Sequence, residues 1–250
     1  MPRIRLCGFG LSALAMGNVV AAEEPATSRW VLGLGAAARP HFEGSEGHRV
    51  SPAPLIDVQK GRFFARTGEG IGLQFISTPR FTAGLGVNWM QGYDKDDAPR
   101  GIGELDDALG GRLFVSTQLG RVRATLAATQ ALTKNERGML VNARVSYPLQ
   151  LTDKLTLVPS LSTNWANDKY MVSYFGVDTV RASTSGLPLF QPSAGFKDVS
   201  GRVAANYQLT PHWGLAGAVG VSTLLGDASD SPFIERDSYV SGLLGFTYTF

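Results

Sequence analysis

Residues 238–250 read SYVSGLLGFTYTF. Side chains of an extended strand alternate between two faces. Phe250, Tyr248, Phe246, Leu244, Gly242 and Val240 therefore share one face, and Thr249, Thr247, Gly245 and Ser241 the other. Three aromatic residues at i, i+2 and i+4 on one side, with hydroxyls and glycine on the other, fit a strand between lipid and a lumen. Its aromatic girdle then sits where the strand leaves the hydrocarbon. The last strand of a soluble β-sandwich is the competing reading.

The other end, MPRIRLCGFGLSALAMGNVVAAEEPA, has Arg3 and Arg5, a mostly apolar run and small residues at Val20 and Ala22. That is the layout of a secretory signal peptide over residues 1–22, which leaves a single barrel domain over residues 23–250. A lipoprotein would need Cys at the cut, whereas Cys7 follows Leu6 near the start. Losing the leader removes the only Cys, so the exported chain forms no internal disulfide. Taking Arg3 and Arg5 from 23 basic residues leaves 21 against 21 acidic ones, a balance that gives no bulk claim on nucleic acid. A mean hydropathy of +0.00 does not argue against a membrane, because barrel strands show only alternate residues to lipid and the average cancels. Thirty Gly in 250 residues suit turns and tight strand packing better than helices.

The alternation continues through the chain. Trp30, Leu32 and Leu34 share a face, as do Ile71, Leu73 and Phe75, then Phe81, Leu85, Val87 and Trp89, then Leu109, Leu113 and Val115. Short turns at Lys60 and Gly61, residues 77–80, Gly120 and Arg121, residues 151–155 and residues 210–212 alternate with polar loops at 41–49, 92–108, 134–138, 167–197 and 227–237. Keeping that order makes residues 67–70 an outer hairpin and gives about twelve strands, with ten as the alternative. The predicted fold is all-β, a closed antiparallel transmembrane barrel with short periplasmic turns and long extracellular loops. Pro159 lies inside the ninth strand, where it can donate no ladder bond, and is expected to need a bulge.

Opposite the lipid faces lie Asp57, Arg62, Arg66, Asn88, Arg112, Arg123, Asn142, Arg144, Arg202 and Asn206, with hardly an apolar residue among them. These are the candidate lumen-lining residues. A soluble barrel would be dry inside and wet outside. The excess of arginine supports either a narrow path favouring anions or a hydrogen-bonded filling of Arg, Asn and loop acids.

The stretches FEGS (42–45), GRFF (61–64), ELDD (104–107), YFGV (174–177), SGLPLFQPSAG (185–195) and DSPF (230–233), ending in FTYTF, resemble the MipA/OmpV family of outer-membrane proteins. Phe190 stands where Tyr is expected. Gly245, Tyr248 and Phe250 occupy the places of an outer-membrane insertion signal. The resemblance implies location in the outer membrane, contact with its lipid and lipopolysaccharide, and handling by the barrel-assembly machinery. It further implies a scaffold joining a murein hydrolase to a penicillin-binding protein. Porin-like or adhesive roles, the latter through the long outer loops, are the alternatives. The resemblance supplies no catalytic residues.

Other chemistry is weaker. His41, Glu43, Glu46 and His48 have metal-ligand types, and Asp94, Asp96, Asp97, Glu104, Asp106 and Asp107 have calcium-ligand types without the spacing of a tight site. Solvated loops account for both. Ser45 and His48 could be a nucleophile and base but have no evident orienting partner. No cofactor, metal or enzymatic activity is expected, and no nucleic-acid partner.

Overall fold

The structure, a computed structural model, describes residues 28–250; the leader assigned to residues 1–22 lies outside them. Twelve antiparallel strands close on themselves: β1 (Ser28–Pro40), β2 (His48–Lys60), β3 (Phe63–Arg66), β4 (Gly70–Ser77), β5 (Phe81–Met90), β6 (Ala108–Leu119), β7 (Val122–Ala131), β8 (Met139–Ser146, resumed at Leu149–Gln150), β9 (Leu155–Ala166), β10 (Gly195–Gln208), β11 (Trp213–Leu224) and β12 (Ser238–Thr249). Each pairs with its sequence neighbours, and β12 closes on β1 with Leu34 opposite Phe246 and Gly35 opposite Gly245. Two helices, α1 (Asp168–Phe175) and α2 (Thr179–Ser185), interrupt the long connection after β9.

The outer wall is greasy. Leu34, Leu161 and Leu244 keep 61–65% of their surface exposed and Phe246 keeps 58%. A belt of this size would drive association in water, and hydrocarbon is the solvent that suits it. Trp30, Phe63, Tyr207, Trp213 and Phe250 ring the periplasmic end; Trp89 and Phe196 stand at the outer end. In β4 a register shift between Gln74 and Ile76 brings both Phe75 and Ile76 to the outside.

Pro159 did not need the expected bulge. Its partners keep one register on either side, Ser160 opposite Ser146 and Leu157 opposite Leu149, and Tyr147 N still donates to Pro159 O at 3.0 Å. The proline costs one ladder bond, so β8 merely lapses at Tyr147 and Pro148. The real shift in β9 falls at Asn164 and Trp165 against the start of β10.

The lumen is less uniformly polar than the sequence suggests. Ala37, Ala53, Leu55, Ala216 and Leu243 form a buried cluster on one wall, and Phe64, Phe114 and Ala127 another. Glycines make room for these rings: a Cβ on Gly72 would stand 2.8 Å from Phe64 Cζ, and one on Gly84 2.7 Å from Phe114 Cζ. The result is an apolar waist below the arginine tier.

Candidate functional site

The extracellular mouth is closed by side chains from four loops. Phe42, Tyr93, Ile102, Tyr170, Met171, Tyr174, Phe175 and Phe233 pack into one buried cluster. Phe42 lies 5.8 Å from Phe233, Tyr93 meets Tyr174 edge-on at 5.3 Å, and Tyr170 stacks on Tyr174 at 5.8 Å. Such ring pairs add about 0.5–1.5 kcal/mol each beyond the area they bury. α1 presents this surface because Tyr170, Met171, Tyr174 and Phe175 fall on one helical stripe. Its start is capped by Asn167, whose side chain accepts from Tyr170 N at 3.1 Å. Several residues of the family-like motifs are plug residues: Phe42, Tyr174, Phe175, Val177 and Phe233 are buried, and Ser231 Oγ donates to Phe175 O at 2.6 Å.

Charge is buried under the rings. Lys197 bonds Glu43 and Asp198, and Asp198 accepts from Asn164 Nδ2 at 2.8 Å. Burial pushes the Glu43 carboxyl up against the opposing pull of Lys197. Burial also raises the Tyr93 and Tyr174 phenols and lifts Tyr170 to about 12. Arg137 is fully buried, donates to Gln91 O, and lies 5.8 Å from the Tyr170 ring centre.

Beneath the plug is a cavity of about 240 Å³. Of the candidate lumen residues it gathers Asn88, Arg112, Asn142, Arg144 and Arg202, and adds Arg39 and Glu69. Arg112 stands 5.0 Å from the Phe114 ring centre, at the top of the apolar waist. Asp57 and Arg66 lie elsewhere: Asp57 is held between Arg66 at 3.2 Å and Arg29 at 3.5 Å, and Arg66 also binds Glu69 at 3.2 Å and Gln59 at 2.9 Å. Arg123 donates to Gln118 at 3.1 Å near the periplasmic end. Asn206 is opposite Thr156 and Ala216 on that same side of the cavity. Arg62 is exposed in the β2–β3 turn, outside the lumen.

At the carboxyl end Gly245 faces inward, and a Cβ there would come within 2.7 Å of Leu55 Cδ1 and of Leu34 O. Tyr248 lies outside with its ring 5.0 Å from Trp213 and 4.8 Å from Phe250.

The loop ligand candidates are dispersed. His41 binds Asp97 at 2.6 Å, Glu46 binds Arg236 at 2.8 Å, and His48 meets the Glu46 and Val240 carbonyls. Asp94 and Asp97 hold Arg49, Asp106 holds Lys134, and Asp107 accepts from Gly92 N. Among the described residues no three of these side chains converge. Ser45 Oγ donates to Glu235 at 3.3 Å, and both His48 ring nitrogens are engaged by backbone carbonyls.

Sequence reasoning passed over Glu69, the pairing of Glu43 with Lys197, and Phe64. A signal existed for the last: of two adjacent Phe after a tight turn, one must face inward. No local signal marks Lys197 and Glu43, which are 154 residues apart.

A family model described as MltA-interacting protein MipA matches residues 32–250. The chain is 25% identical over 235 residues to a 24 kDa outer membrane protein of Pasteurella multocida, covering 88% of this chain and 90% of that one. It is 24% identical over 259 residues to the MltA-interacting protein of Escherichia coli, covering 100% of each. Among solved structures it is similar to OmpT of Vibrio cholerae (6% identity, 91% of this chain and 99% of that one) and the NanC porin (11%, 89% and 100%), each at a TM-score of 0.39.

Proposed function

The chain belongs to the MltA-interacting protein MipA family of outer-membrane barrels, and from that premise we propose that it is a non-enzymatic platform on which a periplasmic murein-remodelling enzyme docks. The relative that it matches end to end is named for such an interaction. The observation that carries the reading is the charge of the periplasmic rim. Lys60, Arg62, Arg80, Arg121 and Lys154 are exposed in or beside the short turns, and Asp153 is the one acidic side chain among the described turns on that side. A flat basic ring steers a partner with an acidic face and loses strength with salt.

The test is binding of the purified barrel in lipid nanodiscs to the lytic transglycosylase of the same cell. Reversing all five cations to Glu is expected to weaken binding by about tenfold or more at low salt, from exposed pairs worth about 0.2–1 kcal/mol each. Equal affinity of the reversed and parent proteins would remove the reading. A second reading, a path favouring anions, draws support from the arginine-lined cavity; the plug has to move before a solute can follow it.

A further inference from the structure

Among the described residues, the ladder of the wall is open for longest beside β3. β3 stops at Arg66, opposite Asp57, and β4 starts at Gly70. Above their turn, residues 48–55 of β2 and 89–90 of β5 have no strand beside them on the edges that face each other, Asn88 being the last residue of β5 with β4, at Gly70, alongside. The β2 edge is built for this. Ile56 N donates to Thr67 Oγ1 and Ile56 O accepts from Thr67 N, so Ile56 turns its backbone groups toward the gap side. Two and four residues back, Pro54 and Pro52 turn the same way, and a proline nitrogen has no hydrogen to leave unpaired.

The gap is framed. Its floor is the 67–69 turn, where Thr67 Oγ1 donates to Pro54 O at 2.9 Å and Glu69 holds Arg66. Arg49 spans its top to Asp97 and Asp94, and Arg39 reaches Gln91 at 2.6 Å. Exposed Pro52 and Trp89 stand at its sides. Two residues of β5 make it about 7 Å tall on that side, and Trp89 sets it at the level of the outer leaflet. The cavity extends to it, since Pro52, Gly68, Glu69, Asn88, Trp89 and Met90 are among its walls. Just inside, Arg112 Nη1 and Asn88 Oδ1 are buried and make no hydrogen bond within the protein.

A buried donor and acceptor, inside a cavity closed above by aromatic rings and open sideways to lipid, call for a polar head with an apolar tail. We propose that this gap admits a single-chain anionic amphiphile from the outer leaflet, its carboxylate against Arg112 and Asn88 and its alkyl chain leaving between Pro52 and Trp89. Arg112 supplies charge-assisted donors to the carboxylate. Asn88 bonds the carboxylate through Nδ2, with its amide turned so that the NH2 group faces the head, and the cavity's four arginines and Lys197 outweigh Glu43, Glu69 and Asp198 in its field.

Tryptophan fluorescence tests this in nanodiscs of uncharged net composition, with a long-chain ω-bromo fatty carboxylate compared with the ω-bromo alcohol of equal length. The carboxylate is expected to give a saturable quenching component that the alcohol lacks and that Trp89→Phe removes. Arg112→Gln should raise the half-saturating concentration about tenfold or more, and Pro52→Phe, narrowing the gap from the lipid side, should slow or abolish the component. Barrel folding of each variant is checked by heat-modifiable electrophoretic mobility. Equal quenching by acid and alcohol overturns the proposal, as does unchanged binding by folded Arg112→Gln protein. Should that variant fail to fold, unaltered saturable quenching in both Pro52→Phe and Trp89→Phe proteins overturns it equally.

Discussion

Lys197 is 3% exposed and stands between two carboxylates, Glu43 and Asp198, that have little other access to water. Replacing it with Met keeps the stem's packing and strands two buried anions. The expected loss is about 3–5 kcal/mol, read as a lower midpoint when unheated barrel converts to its heat-modified band. An unchanged midpoint would show that the plug does not depend on the pair. The phenols give a second test. Tyr170 is raised to about 12, and the Tyr93 and Tyr174 phenols are raised by burial too. A raised phenol favours the native plug below the unfolded value near 10, and that contribution is lost as pH climbs toward the folded value. For Tyr170 two units correspond to about 3 kcal/mol. Phenolate absorbance of the intact protein should therefore rise in two phases, the buried rings ionising last. A single phase near pH 10 would contradict the packing. Neither feature was legible from residues alone, because Glu43 reads as one of several acids in a polar loop until the far strand brings Lys197 beneath it.

At the scale of elements, the connection after β9 reads in the sequence as a plain loop and folds as two short helices. The capping residues were there to be seen, Asn167 and Asp178 at the starts and Gly186, with a φ of 75°, at the end of α2. So was the stripe of Tyr170, Met171, Tyr174 and Phe175. Eight residues are too few for periodicity to stand out against strand-like neighbours, and the helix gains its stability from the mouth it covers. Replacing residues 168–194 with a short Gly/Ser linker removes no pairing between barrel strands, so the barrel should still fold. In planar bilayers the parent protein is expected to be electrically silent and the shortened one to conduct. Those currents should shrink when Arg112, Arg144 and Arg202 are neutralised. Steady conductance by the parent, or silence of the shortened protein, would remove the plug from the account.

For the whole molecule, the alternation of Leu and Val against Arg and Asn made the barrel, its twelve strands and its two unequal ends legible, because lipid imposes a strict period of two. What stayed hidden were the meeting of the inward-facing Leu55, Phe64, Phe114 and Leu243 in an apolar waist, and the gap above β3. Both depend on register between strands, which alternation within one strand does not encode. The seam is the extreme case. β1 and β12 lie at opposite ends of the described chain and yet are hydrogen-bonded neighbours, so joining them orders the largest loop the fold contains. A chain cut short before β12 leaves β1 without the partner that closes the barrel, and its backbone groups on that edge unpaired. For the cell, telling finished from unfinished copies reduces to inspecting a single join.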